Sequence, residues 1–135
     1  MKIVFDTNCL LRILPKESQY RCLWDAFLRG KFDLCYTTEI LAEYEEVLSR
    51  FYFPKVAEST VGVLLKSQNT IPITPYYKWN LIVADPDDNK FVDCALNAGA
   101  DYIVTNDRHF NILKLSDFPP IKVIDIETFK LALML

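Results

Sequence analysis

A single α/β domain built on a mostly parallel sheet is the fold class this chain predicts, on three observations. Short apolar runs alternate with segments of helical periodicity along the whole chain, the order that parallel βα units require. The length of 135 residues suits one domain with its own core. No internal repeat or low-complexity linker divides it.

The elements follow in order. Residues 2–5 are an apolar run ending at Asp6, which reads as a buried strand. A helix over residues 9–14 is stopped by Pro15. A second helix over 18–29 places Tyr20, Leu23, Trp24, Phe27 and Leu28 at helical spacing and ends at Gly30. Residues 32–36 form the next strand, and Thr37 or Thr38 can cap the helix after it. That helix carries Ile40, Leu41, Tyr44, Val47, Leu48 and Phe51 as one stripe; Pro54 interrupts it, and another helix runs to residue 67. Ile71-Pro72-Ile73 reads as a short edge strand, since proline cannot donate to a ladder. A loop over 74–87 is expected to pack Tyr76, Tyr77 and Trp79 against the body. A helix over 87–98, a strand over 102–105, a short helix after Asp107, a strand over 122–124 and a last helix from Ile126 complete the chain.

Composition excludes several classes. Apolar residues make up 51% and charged residues 24%, which is ordinary for a globular domain and argues against disorder. A net charge of −3 gives no support to a broad nucleic-acid-binding face, although an acidic metal site would itself add negative charge. Cys9, Cys22, Cys35 and Cys94 form no Cys-x-x-Cys pair, and His109 alone cannot complete a zinc set with them, so buried free thiols are expected. There is no apolar run long enough to span a membrane and no signal-peptide pattern, so a soluble cytoplasmic protein is expected.

Five acids carry the chemistry: Asp6, Glu43, Asp88, Asp93 and Asp107. Carboxylates are hard oxygen ligands, and several at one point make a site for Mg²⁺ or Mn²⁺. In parallel α/β folds ligands bind beyond the carboxyl ends of the strands. Asp6 and Asp107 each follow an apolar strand, and Asp88 opens the helix that starts at the same edge. Each acid also has a structural reading. Asp6 can cap a helix, Asp85 or Asp87 can cap the helix near Asp88, and Asp107 can be a loop residue. At roughly 100° per residue Asp88 is in phase with Val92 and Ala95, towards the core, whereas Asp93 lies about 140° away and is the weaker candidate. Glu43 and Glu45 flank the apolar stripe symmetrically, and periodicity does not choose between them.

Taken in order, Ile3-Val4-Phe5-Asp6-Thr7-Asn8, Thr38-Glu39-Ile40-Leu41-Ala42-Glu43-Tyr44, Asp87-Asp88-Asn89-Lys90-Phe91-Val92-Asp93-Cys94-Ala95 and Ala100-Asp101-Tyr102-Ile103-Val104-Thr105-Asn106-Asp107 resemble the four motifs of the PIN-domain nucleases. The likeness covers essentially the whole chain. It is to the compact prokaryotic toxin components of toxin–antitoxin systems, of VapC type. The resemblance implies a PIN fold of about five strands and divalent-metal-dependent hydrolysis of RNA phosphodiesters. It selects Glu43 over Glu45, makes Asp6, Glu43, Asp88 and Asp107 the metal-binding acids with Asp93 a fifth catalytic candidate, and implies Mg²⁺ or Mn²⁺ as cofactor. The segment Ala98-Gly99-Ala100-Asp101 is one residue longer than in the shortest toxins, which blurs Asp88 against Asn89.

In that chemistry one or two ions bridge the acids and a phosphate, and an activated water attacks phosphorus in line. Thr7, Asn8, Thr105 and Asn106 are expected to bond the acids or the substrate. Arg12, Lys90 and Arg108 are candidate phosphate contacts, His109 a candidate substrate contact. An antitoxin and a second copy of the chain are the expected partners; the apolar carboxyl terminus from Phe129 to Leu135 reads first as a last helix docked on its own core, and otherwise as a surface for either partner. A haloacid-dehalogenase phosphatase also places Asp after its first strand but wants a second Asp where Asn8 stands. A dinucleotide-binding domain would need a Gly-x-Gly-x-x-Gly that three glycines do not make. A catalytically silent interaction module is the non-enzyme alternative.

Overall fold

The chain alternates strands and helices as expected: β1 (Lys2–Phe5), α1 (Thr7–Ile13), α2 (Arg21–Leu28), β2 (Asp33–Tyr36), α3 (Thr38–Phe51), α4 (Pro54–Lys66), β3 (Thr70–Pro72), α5 (Asn89–Ala98), β4 (Tyr102–Val104), β5 (Val123–Ile124) and α6 (Ile126–Ala132). Two 3₁₀ segments, Pro86–Asp88 and Arg108–Leu115, precede α5 and follow β4. The computed structural model describes residues 1–82, 85–115 and 121–135. Residues 83 and 84 of the expected 74–87 loop therefore lie outside the described residues.

The five strands form one parallel sheet in the order β3-β2-β1-β4-β5. The chain builds outward from β1 to β3, then crosses back to lay β4 on the other side of β1. The crevice at such a reversal lies between the carboxyl ends of β1 and β4. It is pinned there by the Asp6 amide, which donates to the Val104 carbonyl at 3.2 Å. Pro72 sits on edge strand β3, where its missing N–H costs no ladder bond.

Helices flank the sheet and supply the core. On one side Phe5 and Phe32 meet Phe129 of α6 edge-on, with ring centroids 5.8 and 5.1 Å apart, and Phe27 of α2 closes on Phe32. Helix α5 packs across β1, β2 and β4. Gly99 ends α5 in the left-handed conformation (φ 64°), so the chain turns at once into β4.

Several boundaries differ from the sequence reading for local reasons. Helix α1 begins at Thr7 because Asp6 caps it, its Oδ1 accepting from the Cys9 amide at 2.8 Å. Helix α2 starts at Arg21, because Ser18 accepts from the Tyr20 amide and holds a turn there. Tyr76 and Tyr77 do not pack against the body: they are 89% and 60% exposed. Only Trp79 of that trio is half-buried, with the Tyr77 ring against it. Cys9, Cys35 and Cys94 are buried thiols, but Cys22 is only half-buried. Among the described residues no helix is long and apolar enough to cross a membrane.

Candidate metal centre

A cleft of about 250 Å³ opens at the carboxyl edge of the sheet, and Asp6, Glu43, Asp85, Asp87, Asp88 and Asp107 line it with Thr7, Asn8 and Arg50. Strand geometry brings the first and last acids together. Asp6 ends β1 and Asp107 follows β4, the neighbouring strand, with Thr105 between them. The Thr105 hydroxyl donates to Asp6 Oδ2 and accepts from the Asp107 amide, so one buried side chain sets the relation of both acids. Burial, only partly offset by the hydrogen bonds from Thr105 and Cys9, raises the Asp6 carboxyl above its ordinary range.

Glu43 reaches the cleft because the residue beside it is locked. Tyr44 is fully buried and its hydroxyl donates to the Phe5 carbonyl at 2.5 Å, which fixes the rotation of α3 against the end of β1. Glu43 then faces the cleft with Thr7 donating to its Oε2, while Glu45 is exposed. On its other oxygen, Oε1, Glu43 meets the Lys90 ammonium at 2.7 Å.

Asp88 sits in the 3₁₀ turn ahead of α5, not within the helix from which its phase was reckoned. Its side chain is 14% exposed, and its buried Oδ2 has no hydrogen-bond partner. Burial first, then the Asp107 and Asp85 carboxylates, push its carboxyl up to about 7. Asn89, the rival in register, is occupied elsewhere: its side-chain amide bonds both the amide and the carbonyl of Ile82 at 2.8 Å.

Ligand atoms of Asp85, Asp88, Asp107 and His109 lie within 4.8 Å of one another. Opposed ligands around Mg²⁺ stand about 4.2 Å apart, so this spacing is close to a binding geometry. Without a cation, two charged carboxylates within 4.8 Å of each other repel by at least about 3 kcal/mol at an effective dielectric of 20. An orphaned buried oxygen among converging hard donors fits a divalent cation, and Asp88 and Asp107, with Asp85 and His109, would hold it, while Asp6 lines the same cleft outside that group.

The remaining sequence candidates are placed differently. Asp93 is not in the cleft: its Oδ1 accepts from the Trp79 amide at 3.0 Å and ties the 74–82 segment to α5. Asn106 Oδ1 accepts from the Ile126 amide, anchoring the start of α6. Asn8 is exposed on the cleft wall. Arg12 lies over the Tyr20 ring and does not line the cleft, nor does Arg108; the cation that does is Arg50. Sequence reasoning missed Arg50 and gave Asp85 only a capping role. Arg50 stands seven residues after Glu43 on α3, two helical turns on, which was the available signal.

A profile of the PIN domain matches residues 2–109. Among solved structures the chain is similar to VapBC2 from Rickettsia felis bound to a DNA fragment from its promoter, at 16% identity and TM-score 0.64, covering 93% of this chain and 98% of that one. It is similar to FitAcB from Neisseria gonorrhoeae at 16% identity and to DNA-bound VapBC from Salmonella typhimurium at 15%. Both have TM-score 0.57 and the same coverage of 93% and 98%. At these identities the likeness is one of fold. No curated protein matches the chain. The profile match spans most of the sequence, and the chain therefore belongs to the PIN domain family.

Proposed function

We propose that this protein is a divalent-metal-dependent ribonuclease that hydrolyses RNA phosphodiester bonds, and that it is the toxin of a toxin–antitoxin pair. The observation that carries the metal-dependent reading is the buried, unpartnered Oδ2 of Asp88 in a cleft shared with Asp6, Glu43 and Asp107. Bound there, Mg²⁺ or Mn²⁺ supplies Lewis acidity and neutralises charge on the phosphate. Asp6, Asp88 and Asp107 bind it, and Thr105 orients two of them. Arg50, on the cleft wall, meets the phosphate backbone of the substrate, and exposed Asn8 hydrogen-bonds it. Glu43, aligned by Thr7, completes the acidic wall.

RNA as substrate rests on the likeness to the compact PIN toxins. The antitoxin partner rests on the same likeness, and the fold shared with the VapBC2 and FitAcB structures is in keeping with it. A haloacid-dehalogenase phosphatase is set aside by membership of the PIN family. The homodimer proposal draws on α6 and the residues after it: Ile126 and Phe129 dock on the core, yet Leu131 and Met134 remain 67% and 92% exposed. Light scattering on the purified chain tests it.

The activity test uses RNA and DNA oligonucleotides with Mg²⁺, Mn²⁺ or EDTA. RNA cleavage is expected only with metal. Asp6→Asn should lower it well beyond the roughly 10–100-fold cost of changing a supporting residue. Equal cleavage by wild type and Asp6→Asn would sink the assignment.

A further inference from the structure

The ammonium of Lys90 is paired with a carboxylate of this acidic wall. Its side chain is 8% exposed, its Nζ stands 2.7 Å from Glu43 Oε1, and it also donates to the Asp87 carbonyl at 2.9 Å. Asp87 and Asp88 are the turn that presents the cleft carboxylate, so Lys90 ties that turn to Glu43 on α3. We propose that Lys90 is a fixed counter-ion occupying the second cation position of the cleft, so that the centre takes a single divalent ion on the Asp88–Asp107–Asp6 side.

The argument is one of charge and place. Two-ion phosphodiester centres hold their cations about 3.5–4 Å apart, bridged by shared carboxylates. A second ion would need Glu43, which, like Asp6, lies outside the Asp85–Asp88–Asp107–His109 group, but which unlike Asp6 is already paired with an ammonium. Glu43 already carries a full positive charge at hydrogen-bond distance on Oε1, and its Oε2 accepts from Thr7. A divalent ion at Oε1 would have to displace a buried ammonium and leave it only the neutral Asp87 carbonyl in place of a carboxylate, which is costly. By contrast Asp88 Oδ2 has no hydrogen-bond partner, and the His109 Nδ1 stands 3.6 Å away. The cleft therefore has one bare position and one already neutralised. Lys90 acts as a positioning residue, through Glu43 and the 86–88 turn.

This inference rests on the proposed metal centre, and the experiment separates the two. Chelator-stripped full-length protein is titrated with Mn²⁺, counting bound ions by calorimetry and reading their coupling by electron paramagnetic resonance. Wild type is expected to bind one ion with an uncoupled mononuclear signal. Lys90→Met, which keeps the length and removes the charge, should admit a second ion and show exchange coupling, whereas Lys90→Arg should return to one. If Lys90→Met does not fold, the neutral pair Glu43→Gln/Lys90→Met decides: it should keep the single ion, and losing it overturns the proposal. Two ions in wild type, or a folded Lys90→Met that still binds one, overturn this inference and leave the nuclease reading standing. No bound ion in wild type overturns both.

Discussion

Replacing Asp88 by Asn is expected to make the metal-free protein more stable, and increasingly so as pH rises. In the folded chain burial and the neighbouring Asp107 and Asp85 push the Asp88 carboxyl from 3.8 up to about 7. Between those limits the folded state holds a proton that the unfolded chain has released. Stability therefore falls as pH rises from about 4 to about 7 and levels off above it. Each tenfold change is worth about 1.4 kcal/mol, which sets a ceiling of about 4 kcal/mol. The cleft is open to water and screens the charge, so about 1–3 kcal/mol is the expected gain from Asn at pH 8. Near pH 4 the difference should vanish. Urea unfolding in EDTA at intervals from pH 4.5 to 8 measures it directly, the gain appearing as a midpoint shift on the order of 1 M. The raised Asp6 and Asp93 carboxyls give wild type a slope of the same sign, and to first order they cancel in the difference. Mg²⁺ or Mn²⁺ should then stabilise wild type at pH 8 and leave Asp88→Asn nearly unmoved. A mutant no more stable than wild type at pH 8, or a difference that does not grow with pH, would refute the reasoning.

Other substitutions test the supports of the cleft. Tyr44→Phe removes the bond to the Phe5 carbonyl and should cost about 1–2 kcal/mol by denaturant unfolding; no loss would mean α3 is held otherwise. Thr105→Val keeps the shape but frees Asp6 and the Asp107 amide, so Mn²⁺ affinity should fall about 10–100-fold while the fold persists by circular dichroism. Asp93→Asn should preserve RNA cleavage yet speed hydrogen exchange at the Trp79 amide; loss of cleavage on the scale of Asp6→Asn would restore Asp93 to the site. Glu45→Gln should be silent in both cleavage and stability, because Glu45 is exposed on α3.

Much of this was legible in the chain because the responsible interactions are local. Apolar runs and 3.6-residue stripes gave every strand and helix their existence, though not their ends, since the ends depend on single caps such as Asp6 and Ser18. Asp6 and Asp107 could be placed at the strand ends for the same reason: a parallel strand that stops on an acid puts it at the ligand edge. Asp88 was rightly drawn inward, but by a helix phase that does not apply to the 3₁₀ turn in which it sits. Periodicity also had no means of telling Glu43 from Glu45, two residues equally placed beside one stripe.

The layered α/β plan, its edge proline and the acids at the carboxyl ends of β1 and β4 all follow from patterns along single segments of the chain. Which of the other acids join them depends on packing in three dimensions. Packing turns α3 through the Tyr44–Phe5 bond so that Glu43 faces inward, and sends Asp93 to hold Trp79. It brings Asp85 and His109 beside Asp88 and Asp107, and buries Lys90 against Glu43. These are contacts between segments remote in the chain. A pattern along one element fixes which face it buries, but the identity of what lies opposite is set by the order of the strands and the packing between helices.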